Sequence, residues 1–156
     1  MAIIKPNNNT ISAITALPAA IPTGKVLQVV SASAANDLVT TSTSFVDIHL
    51  SLNITPSSAS NKIFVMYNGN NENNGTNGSR IAIQMLRDST QIADATGVGN
   101  HAGNGMVHSN ALSVLDTPST TSQITYKMQG KSEDGVVAVF NINNDVGTIT
   151  AFEMEA

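Results

Sequence analysis

The sequence predicts an all-β protein: an antiparallel, jelly-roll-like β-sandwich over residues 25–156, preceded by an extended N-terminal arm over residues 1–24. Three observations carry that expectation. After Gly24 hydrophobicity alternates with period two, turn-forming clusters interrupt it at short intervals, and no apolar stripe at helical spacing runs far enough for a useful amphipathic helix. Before Gly24 no period holds.

The arm reads MAIIKPNNNTISAITALPAAIPTG. Ile11, Ile14 and Leu17 are spaced for about one helical turn, but Pro18 and Pro22 stop a longer helix by lacking an N–H and by restricting the residue before them. Ile3, Ile4, Ile11, Ile14, Leu17 and Ile21 are therefore expected as apolar pegs on an extended arm that insert between subunits or into a partner surface. The plainer alternative is a frayed tail.

Strands follow in order. Residues 25–32 open the domain, and Val46, Ile48, Leu50 and Leu52 alternate with Asp47, His49, Ser51 and Asn53, the pattern of a strand with one buried and one wet face. Further strands are expected at 62–67, 81–87, 124–129, 136–140 and 148–154, with weaker candidates at 92–95 and 111–115. Clusters such as Thr55-Pro56-Ser57-Ser58, Asp116-Thr117-Pro118-Ser119, Glu133-Asp134-Gly135 and Asn143-Asn144-Asp145 mark reversals between them. Eight or nine short strands without helices suit a sandwich or barrel, with a jelly roll the best fit to count and size.

Two stretches are read as polar, Gly-rich loops: residues 68–79, NGNNENNGTNGS, and residues 97–110, GVGNHAGNGMVHSN. Neutral amides and imidazoles at one end of a sandwich would make an adaptable contact surface, so Asn70, Asn71, Asn74, His101, Asn104 and His108 are the candidate recognition residues. Flexible surface connection is the plainer reading.

Composition narrows the partners. The net charge is -4 and charged residues make up 12% of the chain, while about a third of it is Asn, Ser or Thr. Seven Lys and Arg that never cluster leave no basic stripe for a phosphate backbone, so nucleic acid is not expected as a partner. The first residues do not form a signal peptide, and no apolar run is long enough for a membrane helix, so synthesis in the cytoplasm and no membrane partner are expected. The chain has no cysteine, which excludes disulfides and thiolate chemistry.

No constellation points to catalysis. His101 and His108 share one Gly-rich stretch and His49 lies on a wet strand face, a spacing that matches no zinc motif. Asp88, Asp94, Asp116, Glu133, Asp134, Asp145, Glu153 and Glu155 are scattered, without a carboxylate pair, and are expected mostly as solvated turn residues. Gly97-Val98-Gly99 lacks the third glycine of a dinucleotide site. No enzyme, cofactor or metal is expected.

Four phrases in sequence, GKVLQVV (24–30), LNITPSSASNKIFV (52–65), LDTPSTTSQITYK (115–127) and ITAFEM (149–154), resemble virion structural proteins of tailed bacteriophages, especially marine ones. The resemblance covers residues 24–156. It implies a jelly-roll-like sandwich, usually trimeric, that serves as the terminal domain of a fibre or as a short capsid or tail component, without catalytic residues. The chain carries no shaft, heptads or repeats before the sandwich, and its arm reaches at most about 80 Å at ~3.3 Å per residue. A homotrimeric capsid decoration (cement) protein, fixed by its arm to the major capsid protein or another virion protein, is the leading expectation. The alternative is a short tail-fibre or head-fibre receptor-binding module for a host-surface glycan, disfavoured by the shortage of aromatic rings.

Overall fold

A computed structural model of the chain describes residues 25–73, 79–98 and 106–156. Among these residues ten strands follow in order: β1 (Val26–Ala34), β2 (Leu38–Thr40), β3 (Val46–Ile54), β4 (Lys62–Asn73), β5 (Ile81–Arg87), β6 (Thr90–Val98), β7 (Met106–Asp116), β8 (Ile124–Ser132), β9 (Ala138–Phe140) and β10 (Gly147–Met154), with one 3-10 turn at Ile142–Asn144. One sheet has β1, β10 and β4 in order with β7 on the far side of β4, and the other has the order β3-β8-β5-β6. All pairings are antiparallel. β9 pairs with residues 71–73 of β4 and β2 pairs with β9, so β2 and β9 continue β1 and β10 as two interrupted strands side by side. These two four-strand orders, with the chain crossing between sheets at each non-hairpin connection, are those of a jelly roll. The expected sandwich is the fold; the arm lies outside the described residues.

Period two decides what goes inside. In β3, Ile48, Leu50, Leu52 and Ile54 are buried while Asp47, His49, Ser51 and Asn53 are exposed. They meet Ile63, Val65 and Tyr67 of β4, Ile81, Ile83 and Met85 of β5, Tyr126 and Met128 of β8, and Ile149 and Ala151 of β10 in one core. Each such aliphatic chain stabilises the fold by about 1.5–3 kcal/mol when fully buried. At Gly130 the absent side chain is itself part of the packing, since a Cβ there would run into the ring of Phe140 from the opposite sheet. His49 has φ 60° where the β3–β8 register shifts between Asp47 and Ser51, a bulge within the strand.

The structure corrects several expected boundaries. Residues 68–73 are strand, not loop: they pair with β7 along their whole length, and on the other side Asn68 pairs with β10 and residues 71–73 with β9, so ladder pairing overrides the low strand propensity of Asn and Gly. Residues 106–110 likewise belong to β7 rather than to a loop. β2 was not expected, and the strand expected at 136–140 is shortened to Ala138–Phe140. Asp116 and Glu153, expected among the solvated turn acids, are buried.

Candidate functional site

Strand directions give the sandwich two unlike ends. At one end β1 begins and β10 finishes, and the connections at 55–61, 88–89 and 117–123 lie there. Lys25, the first described residue, is tied to that end by a backbone bond from Glu155 N–H to its carbonyl (3.0 Å) and by an ion pair with Glu155 (3.8 Å). At the opposite end β4, β6 and β8 finish, β5, β7 and β10 begin, and the segments 35–45 and 133–146 close over them.

Two buried carboxylates organise the end where Lys25 sits. Glu153 continues the inward series Gly147, Ile149 and Ala151 of β10 and is fully buried. Its Oε1 accepts from Ser57 N–H (2.7 Å), Ser57 Oγ (2.7 Å) and Asn61 Nδ2 (2.6 Å), and its Oε2 from Gln28 Nε2 (2.6 Å). Burial pushes its pKa up, but hydrogen bonds from Asn61, Gln28 and Ser57 outweigh it and hold the carboxyl at about 2. Asp116 continues the inward series Leu112 and Val114 of β7. It receives Arg87 Nη1 on both oxygens (2.7 and 2.9 Å) and Tyr126 Oη on Oδ2 (2.6 Å). Burial, then the hydrogen bond to Asp116, raises the Tyr126 phenol far above its ordinary range. Each group ties one sheet to the other or to a crossing loop, with every carboxylate oxygen satisfied, so both act as clasps rather than as reactive acids.

The opposite end carries the polar surface. Asn70 of β4 stands opposite Ser109 of β7, and Ser109 Oγ donates to Asn70 Oδ1 (2.7 Å) while Asn70 Nδ2 donates to Asp145 Oδ2 (2.8 Å). A shallow depression of about 240 Å³ lies here, lined by Asn68, Gly69, Asn70, Ser109, Asn110, Ala111 and Val146. Asn141, Asn143 and Asn144 all take positive φ in the adjoining segment, a conformation that Asn tolerates better than most residues. Asn144 N–H is held by Asp37 Oδ1 (2.9 Å), and Asn141 N–H by the carbonyl of Asn70 (2.8 Å).

Of the candidate recognition residues, Asn70 reaches this surface. Asn71 is paired in register with His108, but it is fully buried beside Tyr67, so it belongs to the interior. Burial pushes the Tyr67 phenol up to about 12, with the Asn71 amide pulling the other way. His108 is half-buried in β7. Asn74, His101 and Asn104 lie outside the described residues, as do the arm residues Ile3, Ile4, Ile11, Ile14, Leu17 and Ile21. The sequence reading missed Ser109 and Asp145, because their role depends on register and on a loop returning to β4. Among the described residues no group of three or more His, Cys, Asp or Glu is placed to hold a metal ion, and no helix is long and apolar enough to cross a membrane.

No protein-family model and no curated protein matches the chain. Among solved structures it is similar to that of the infectious bursal disease virus Gt strain, at 14% identity and a TM-score of 0.47, over 83% of this chain and 38% of that one. It is similar also to the infectious bursal virus derived T=1 particles, at 12% identity and a TM-score of 0.47, over 81% and 37%. The VP2 subviral particle of infectious bursal disease virus matches at 14% identity and a TM-score of 0.42, over 83% and 38%. The chain thus spans less than two-fifths of the length of those it matches. The jelly-roll assignment stands on this chain's own strand order.

Proposed function

We propose that the chain is a virion structural protein, a trimeric decoration subunit of a phage capsid held by its N-terminal arm with the Asn-rich end of the sandwich turned outward. The observation that carries this reading is the opposition of the two ends. The chain enters at Lys25, beside the clasped carboxylates, whereas the amide-rich surface around Asn70, Ser109 and Asp145 lies at the far end. A subunit anchored through residues before Lys25 would present that surface to solvent. The phrases that resemble phage virion proteins supply the class. Three arms on one trimer would engage the shell together, so modest contacts per arm sum to lasting attachment. Closed association would also cover exposed strand edges of a weakly charged sandwich.

The reading is tested on particles lacking the protein. Full-length chain is expected to saturate them, and a chain beginning at Gly24 is expected to fold but not to bind. Full-strength binding by the shortened chain would overturn the anchoring role. Host-glycan recognition is the second reading, favoured by the amide- and hydroxyl-lined depression. Particles carrying Asn70→Ala with Ser109→Ala should adsorb to host cells normally if the chain only decorates the shell. Reduced adsorption with normal assembly would move the assignment to the receptor-binding alternative.

A further inference from the structure

The outer faces of the two sheets differ in kind. On the β3-β8-β5-β6 sheet polar side chains interlock: Gln129 Nε2 donates to Asp47 Oδ1 (2.6 Å), Gln84 Nε2 to Gln129 Oε1 (2.7 Å), and Thr125 Oγ1 to Asn53 Oδ1 (2.7 Å). On the other sheet a whole cross-strand row is apolar. Val29, Phe152, Phe64 and Leu115 stand opposite one another on β1, β10, β4 and β7, with the two phenylalanine rings 6.3 Å apart. Val29 is 54% and Leu115 50% exposed, and exposed Val26 and Leu27 extend the row toward Lys25.

We infer that the proximal half of the N-terminal arm, carrying Ile11, Ile14, Leu17 and Ile21, folds back across this row on its own domain. The arm's root, at Lys25 beside Val26, lies at the start of β1, the strand that carries Val29. Ile21-Pro22-Thr23-Gly24 has Pro second and Gly fourth, the sequence chemistry of a type I turn, which would suit a reversal at that root. Residues 11–24 contain no charged side chain. At ~3.3 Å per residue they span about 45 Å, against a row about 14 Å wide at ~4.8 Å per strand. Tethering gives such a segment a high effective concentration over its own sheet. Asn7, Asn8 and Asn9 separate it from Ile3 and Ile4, which leaves the tip free to anchor. The docking of the proximal half is independent of what the tip binds.

Because the chain has no cysteine, pairs can be introduced into the full-length protein without background. Ile14→Cys, Leu17→Cys or Ile21→Cys is combined with Val29→Cys or Leu115→Cys, and each arm position also with Asn53→Cys on the other sheet as control. Disulfides within one chain are expected for row pairs and not for the control. Row pairs that oxidise no better than the control, or that link only different chains, would overturn the inference. As a second measurement, backbone amides of residues 11–21 should exchange at least about tenfold more slowly in the full chain than in the isolated arm peptide. Leu115→Asp, at an exposed position, should return them to peptide rates while the core stays protected. Peptide-like exchange in the unmodified chain would refute the docking. Ile3→Ser with Ile4→Ser should abolish particle attachment yet leave this protection unchanged, so the anchoring role and the docked segment fail separately.

Discussion

Glu153→Gln is the sharpest perturbation of the fold. The carboxylate is buried, and among the described residues its four hydrogen bonds come from neutral donors on β1 and the 55–61 crossing. An amide oxygen in the place of Oε1 keeps the contacts to Ser57 and Asn61. The amide nitrogen then replaces Oε2 and faces Gln28 Nε2, which is already oriented by its bond to the Thr55 carbonyl (2.8 Å). Two donors confront each other, and turning the Gln28 amide over sacrifices the Thr55 bond. Losing one charge-assisted bond costs about 1.5–3 kcal/mol, and weakening of the remaining three brings the expected total to about 3 kcal/mol. Glu153→Ala should cost more, because Ser57, Asn61 and Gln28 would all be stripped of their acceptor. Urea unfolding reads this as a lower midpoint at unchanged m-value.

The pH dependence carries the same sign. A carboxyl held at about 2, below its ordinary 4.5, binds a proton more readily when the chain unfolds, so its stabilisation is complete above 4.5 and is lost as pH falls toward 2. One proton limits the slope to about 1.4 kcal/mol per pH unit. The difference in stability between the parent chain and Glu153→Gln should therefore shrink on acidification through that window. A Glu153→Gln chain within about 0.5 kcal/mol of the parent at neutral pH, or a difference that does not change with pH, would refute the clasp.

Further substitutions probe the rest of the scaffold. Gly130→Ala should destabilise by about 1–3 kcal/mol by driving a methyl group into the Phe140 ring, and Phe140→Leu in the same chain should cost less than its single-mutant value, which a double-mutant cycle in urea measures. Tyr126→Phe removes one bond to Asp116 but leaves Arg87 in place, so a loss of about 1–2 kcal/mol is expected by the same assay. Leu50→Asp, at a position 2% exposed, should cost several kcal/mol and prevent soluble expression, whereas Ser51→Ala on the exposed face of β3 should shift the unfolding midpoint by less than about 0.5 kcal/mol.

What was legible in the sequence followed from periodicity. Val46, Ile48, Leu50 and Leu52 announced β3 and its buried face because side-chain direction alternates whatever the neighbouring strand does. The Asn-rich half of β4 was hidden because its strand character comes from ladders on both edges, and backbone pairing does not depend on apolar side chains. The same periodicity also held the clue to the clasps. Ile149, Ala151 and Glu153 share one face, as do Leu112, Val114 and Asp116, so extending the inward series by one step places each acid inside; reading the acids apart from their strands lost that signal. The resemblance phrases meet in space for a structural reason: Gln28, Ser57, Asn61 and Glu153 come from three of them, and Asp116 and Tyr126 from the fourth. The polar surface was only partly visible, because Asn70 was named from composition while Ser109 and Asp145 join it through register and loop closure.

The most direct test of the account is the copy number of the chain in purified particles, measured by quantitative mass spectrometry against the major capsid protein and located by cryo-electron microscopy. A decoration subunit should be present in hundreds of copies, as trimers at repeated positions on the shell, with the sandwich end that bears Lys25 toward the shell and the Asn70 end away from it. A dozen or so copies confined to a tail or fibre, or a shell-bound sandwich with the Asn70 end facing inward, would contradict it.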